Sequence, residues 1–170
     1  MKLITDKRNR KIEDLFHKLS TGIVRYALLN DIDTIVIGHN ELWKQNSNPG
    51  KINNQKFTQI PFNKLIKIIK YKAEENGIEV VLQEESYTSK CSFLDNKEIG
   101  KHDVYLGKRI KRGLFRTFKG ILINADINGS YNIIKKAFPN AFDGIEGLRV
   151  NPESLCIFKL LKTTTSKDGC

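Results

Sequence analysis

Cysteine is scarce in this chain of 170 residues, and the three present, Cys91, Cys156 and Cys170, are odd in number and scattered. None belongs to a C-x-x-C pair, which argues against a disulfide framework and against a thiolate zinc site within the chain. The three histidines, His17, His39 and His102, have no metal-ligand spacing. No apolar run approaches the ~18 residues that span a bilayer. The first residues, Met1-Lys2-Leu3-Ile4-Thr5-Asp6-Lys7-Arg8, lack the apolar core of a signal peptide, so a cytoplasmic location is expected. Internal repeats, low-complexity tracts, a Gly-rich phosphate loop and a Ser–His–Asp arrangement are also missing. Four prolines and twelve glycines, with 39% hydrophobic and 28% charged residues, give a globular composition without bias towards disorder.

What is abundant is positive charge. Twenty-nine Lys and Arg against nineteen Asp and Glu give a net charge of +10. Such an excess favours a polyanionic partner. No basic amphipathic helix with aromatic anchors points to a membrane, so nucleic acid is the expected partner. The charge concentrates between residues 97 and 119, in Lys97, Lys101, Lys108, Arg109, Lys111, Arg112, Arg116 and Lys119. Tyr105, Phe115 and Phe118 are interleaved there, as on surfaces that pair phosphate contacts with base stacking.

The pattern along the chain is α/β. Residues 5–30 read as one helix, capped at Thr5 or Asp6, with Ile12, Leu15, Phe16, Leu19, Ile23, Tyr26 and Ala27 on one face. Its start carries Lys7, Arg8, Arg10 and Lys11, which oppose the helix dipole and make either a solvated face or a phosphate-facing end. Residues 33–38 are a β-branched apolar run that reads as a central strand. A long polar loop over residues 39–56 carries Trp43, Lys44, Gln45 and Lys51, either a nucleic-acid contact or an ordinary exposed loop. A helix follows from Pro61 to Asn76, ended by Gly77, with Phe62, Leu65, Ile66, Ile69 and Ala73 as its buried stripe. Residues 78–85 read as the next strand, completing a βαβ unit with a parallel pair. Residues 97–119 read as one or two hairpins or an irregular insert, and residues 151–170 as a loose tail.

Three acidic residues stand out. Glu84 and Glu85 end the second strand, where ligand sites of open α/β sheets lie, and point to opposite faces. Asp126 sits where the run Gly120-Ile121-Leu122-Ile123 hands over to a helical pattern. There it can cap the helix, ligate a divalent cation, or do both.

The stretch Asn124-Ala125-Asp126-Ile127-Asn128-Gly129-Ser130-Tyr131-Asn132-Ile133 resembles the last catalytic motif of the TnpB/OrfB proteins, transposon-encoded RNA-guided nucleases with a RuvC-type, RNase H-like domain. Trp43-Lys44-Gln45, Asn54-Gln55-Lys56-Phe57, Tyr71-Lys72-Ala73-Glu74, Tyr87-Thr88-Ser89-Lys90 and Arg112-Gly113-Leu114-Phe115 match further family motifs in order. The likeness covers most of the chain, to about residue 150. It implies a partial RuvC/RNase H-like domain at residues 1–86 and 120–150, an incomplete sheet flanked by helices. It implies a degenerate zinc-ribbon insert at residues 87–119. Asp126 is then the third acid of the site, Gly129 lets its helix pack closely, and Asn128 and Asn132 support the acids from behind.

The resemblance has gaps. No counterpart of the family's opening Asp motif is found, and the chain is expected to start downstream of it. Gly38 stands where many relatives carry the middle Glu; a subgroup places that acid just before Tyr-Thr-Ser-Lys, which implies Glu85, with Glu84 as the alternative. The ribbon retains Cys91 alone, and Leu94 replaces a second cysteine, so no zinc is expected. The implied chemistry is Mg²⁺-dependent phosphodiester cleavage, with Glu85 and Asp126 as ligands only if the site is completed. Implied partners are DNA and guide-type RNA, contacted by Lys44, Gln45, Lys51, Lys90, Lys108, Arg109, Lys111 and Arg112. An upstream fragment or self-association could complete the fold. The expected function is a truncated endonuclease of this type, inactive alone. The alternatives are a non-catalytic nucleic-acid-binding regulator and an inert remnant of an insertion element.

Overall fold

A computed structural model describes residues 2–40 and 61–152. Its element order is α1 (Lys2–Leu29), β1 (Thr34–His39), α2 (Phe62–Glu74), β2 (Glu79–Glu84), β3 (Lys108–Lys111), β4 (Leu114–Arg116), β5 (Leu122–Asn124) and α3 (Ala125–Ala137). The fold is α/β, with a two-stranded β1–β2 sheet and a three-stranded β3–β4–β5 sheet. The chain divides into two compact units. The first holds residues up to 35 and 61–80 of those described, and the second holds residues 36–40 and 81–152. Among the described residues no helix is long and apolar enough to cross a membrane.

In the first unit α1 packs on α2. The buried positions of α1 include Phe16, Ser20, Gly22, Val24 and Ala27, whereas Leu15, expected on the apolar face, is exposed. Helix α2 also brings a polar side chain to this face. Lys72 Nζ donates to the His17 carbonyl at 2.8 Å and to Thr21 Oγ1 at 2.7 Å. Ser20 is tolerated there because its hydroxyl donates to the His17 carbonyl. Helix α1 starts at Lys2, so Thr5 and Asp6 lie inside it rather than ahead of its first turn. Ala73, fully buried, joins Val24, Ala27 and Ile78 in the core, with Ile35 and Val80 against it. On α2, Ile68 is buried beside Ile69 and Ala73, a position absent from the expected stripe.

Pro61 is the N-cap of α2. After the helix Gly77 takes φ +73°, the left-handed conformation that glycine adopts without a Cβ penalty. This reversal lets Ile78 N–H donate to the Ala73 carbonyl and launches β2. Strands β1 and β2 run parallel: Glu79 N–H donates to the Asp33 carbonyl, and further along both strands Gly38 lies against Glu85.

The second unit is built on the antiparallel sheet. Phe115 and Ile123 pair across β4 and β5 and are each 1% exposed. With Ala125 they form its core, against which Leu94, Ile127, Tyr131 and Val150 pack. Phe93, Tyr131 and Phe142 add three mutual ring contacts at 4.8–5.2 Å. Strand β5 thus joins the basic hairpin β3–β4 and delivers the chain directly into α3.

Candidate acidic site and nucleic-acid surface

Asn124, not Asp126, caps α3. Its side-chain oxygen accepts from Asp126 N–H at 2.9 Å and Ile127 N–H at 3.2 Å. Asp126 occupies the first turn, where a carboxylate is favoured by the helix dipole. Its side chain is 86% exposed, and Oδ1 lies 3.5 Å from Arg109 Nη2. Relieved of capping, the carboxylate faces outward beside a single guanidinium.

Glu85 approaches that helix from the end of β2. A Cβ built on Gly38 would meet Glu85 Oε2 at 2.8 Å and Ile133 Cδ1 at 2.7 Å. The Glu85 carboxylate and Ile133 therefore flank the same spot, which only glycine leaves open. Ile133 stands seven residues beyond Asp126, two turns on and about 10 Å along the axis. Glu85 thus lies beside the Ile133 end of α3, two turns from Asp126.

Glu84 has a different task. Its Oε1 accepts from Ser86 N–H at 2.7 Å and its Oε2 pairs with Lys136 Nζ at 2.7 Å. The Lys136 hydrogen bond, followed by that of Ser86, holds its carboxyl below the ordinary value. Of the two glutamates, Glu84 is the one that ties the strand end to α3.

Asn128 and Asn132 do not support the carboxylates. Both are buried, and both grip the turn after β2. Asn128 accepts from Phe93 N–H at 2.9 Å and donates to the Cys91 carbonyl at 2.8 Å. Asn132 donates to the Thr88 and Cys91 carbonyls at 2.8 and 2.9 Å. Thr88 in turn donates its hydroxyl to the Glu85 carbonyl. Helix α3 thereby holds the turn after β2 through two buried amides. Cys91 itself is buried, with its sulfur 3.7 Å from the Gly100 carbonyl. Gly129 does not mediate close packing either, since a Cβ there would meet nothing within 4 Å.

The basic residues separate into two groups. Lys108 and Lys111 are exposed on β3, and Arg112 is exposed in the turn to β4. Arg109 is engaged with Asp126, and Lys90 sits 5.9 Å over the Tyr105 ring. Of the interleaved aromatics, Phe115 is core and Tyr105 is half-buried, whereas Phe118 is 75% exposed. Trp43, Lys44, Gln45, Lys51 and residues 54–57 lie outside the described residues, as does the expected tail beyond residue 152.

Among the described residues no three His, Cys, Asp or Glu side chains cluster as metal ligands. Glu85 and Asp126 by themselves do not fit a Mg²⁺ pair, which needs several converging oxygens.

Residues 62–133 match the family model for the Cas12f1-like TNB domain. A TnpB-like protein, ORF457 of Acidianus two-tailed virus, is 30% identical over 137 residues, covering 77% of this chain and 26% of the relative. The fold is similar to a chain in the cryo-EM structure of the Cas12f1-sgRNA-target DNA complex, with a TM-score of 0.56 at 18% identity. That match covers 78% of this chain and 36% of the other. Together these findings support a TnpB/Cas12f-type family for the chain. It spans about a quarter to a third of the length of these relatives.

Proposed function

We propose that this chain is the acid-bearing and ribbon portion of a TnpB/Cas12f-type, RNA-guided nuclease with a RuvC-like site. It binds DNA and RNA through the basic hairpin and supplies Glu85 and Asp126 to a metal site that other residues must complete. The observation that carries this reading is the spot beside Gly38. The carboxylate of Glu85 fills the space a side chain at position 38 would take, beside the Ile133 end of the helix that bears Asp126. An acid delivered from either strand end would reach the same place. The ribbon works without zinc, its knuckle held by Asn128 and Asn132.

The test has two arms. Labelled single-stranded DNA and RNA are titrated at several salt concentrations, and plasmid or oligonucleotide cleavage is followed with Mg²⁺. Binding that weakens steeply with salt is expected. The 170-residue chain alone is expected to cleave nothing above background, and elemental analysis is expected to find no stoichiometric zinc. A flat salt response, or no binding at low salt, refutes the reading. Robust cleavage lost in Asp126→Asn shows that another residue of this chain completes the site. A second reading, a non-catalytic nucleic-acid-binding regulator, is favoured by the Arg109–Asp126 ion pair, which already partners the outermost carboxylate. Cleavage restored by a polypeptide carrying the family's opening Asp motif, and lost again in Glu85→Gln, excludes that reading.

A further inference from the structure

The turn between β4 and β5 holds a large aromatic side chain in solvent by deliberate bonding. Thr117 is buried, and its N–H donates to the Ile121 carbonyl at 3.0 Å while its hydroxyl oxygen accepts from Ile121 N–H at 3.0 Å. Gly120 N–H donates to the Thr117 carbonyl at 3.1 Å. Asp95 then accepts from Phe118 N–H at 2.8 Å and pins the backbone at the tip. Every one of these bonds fixes main chain, and none draws the Phe118 ring inward. The ring remains 75% exposed, next to the half-exposed Ile121 and Leu122.

The surroundings are cationic. Lys108, Arg116 and Leu122 lie in register across β3, β4 and β5, and Lys119 follows Phe118 in the chain. The three cationic side chains are exposed and form no salt bridge among the described residues. Asp95, bonded to the Phe118 amide, keeps its negative charge, so three cations stand against one anion bonded to this turn. A pre-positioned aromatic face bordered by unpaired cations matches one ligand chemistry: an unpaired base above the ring with its phosphates beside the lysines and arginine. A duplex keeps its bases stacked on one another and offers the ring no face.

We infer that Phe118 is a stacking platform for one base of a single-stranded nucleic acid, with Lys108, Arg116 and Lys119 tracking its backbone. This rests on the proposed nucleic-acid function and specifies where and how the strand is held. Stacking is indifferent to the sugar, so DNA and RNA strands should both use it.

The experiment measures the affinity of labelled oligothymidylate, oligouridylate and a DNA hairpin duplex, each covering a site of about 16 nucleotides. The parent is compared with Phe118→Ala, Phe118→Leu and Phe118→Trp, with circular dichroism melts confirming unchanged folding. Phe118→Ala should weaken both single strands by about tenfold to a hundredfold. It should leave duplex affinity and the salt slope unaltered. Phe118→Leu should fall with it, and Phe118→Trp should bind at least as tightly as the parent. Single-strand affinity unchanged in Phe118→Ala, or retained in Phe118→Leu, overturns the stacking inference while leaving the nucleic-acid reading intact; the latter result marks an apolar contact with the strand that needs no ring face. A parent that binds no nucleic acid at low salt overturns both.

Discussion

Replacing Asn128 with Ala tests whether α3 clamps the turn after β2. The side chain is fully buried and makes two hydrogen bonds to the turn, one to Phe93 N–H and one to the Cys91 carbonyl. The Cys91 carbonyl keeps Asn132 as a donor, but Phe93 N–H loses the partner it has in the structure. The net bond to the Cys91 carbonyl at about 1 kcal/mol, plus ~1–3 kcal/mol for the orphaned Phe93 amide, gives a loss of about 2–4 kcal/mol. That is a large fraction of a small domain's stability. Amide exchange at Phe93 reads the loss directly, and should accelerate by about a hundredfold in Asn128→Ala. Asn128→Asp sharpens the test. It keeps the acceptor for Phe93 N–H but sets a second carboxylate oxygen against the Cys91 carbonyl. Burial raises the carboxyl above its ordinary range, so the variant is most stable when protonated and loses stability as pH rises through the raised value. Exchange at Phe93 within threefold of the parent in Asn128→Ala, or pH-independent stability in Asn128→Asp, would refute the clamp.

Three further outcomes are expected. Gly129→Ala should stabilise the protein by about 0.5–1 kcal/mol in urea denaturation, because the position is mid-helix with open space around it; destabilisation would mean that something packs there. Gly38→Ala should cost about 1–3 kcal/mol by crowding Ile133 and Glu85, and Ile133→Ala in the same chain should recover part of that loss; no recovery would place the strain elsewhere. The depressed carboxyl of Glu84 makes its contribution present in full above the ordinary carboxylate value of 4.5 and lost as pH falls through its lower folded value. The effect is small, under about 1 kcal/mol, because Glu84 is half-exposed. In Lys136→Met the acid limb of stability should flatten, and an identical limb would remove the pair from the account.

Local signals carried much of the fold. The β-branched run at residues 34–37, the apolar stripe ending at Ala73 and the glycine that stops α2 each act over a few residues, so helix, strand and reversal were legible in order. Asp126 was legible by its place between strand and helix. The same stretch misled on roles, because a cap, a ligand and a clamp use the same residue types. Asn124 and Asp126 both suit a helix start, and only the backbone entering α3 decides that Asn124 caps and Asp126 faces outward. Asn128 and Asn132 look like polar neighbours of an acid in one dimension. In three, the helix turns them away from Asp126 and onto the carbonyls of Thr88 and Cys91, 41 residues back for the second bond of Asn132. Phe115 and Phe118 have identical composition signals three positions apart. The pairing of Phe115 with Ile123 buries one, and the Asp95-pinned turn exposes the other. The sequence by itself determined which segments are regular and where the charge lies, since propensity and periodicity are short-range. Tertiary structure alone decided that Glu85 fills the gap at Gly38, because that proximity joins the ends of two strands and a helix that are far apart along the chain.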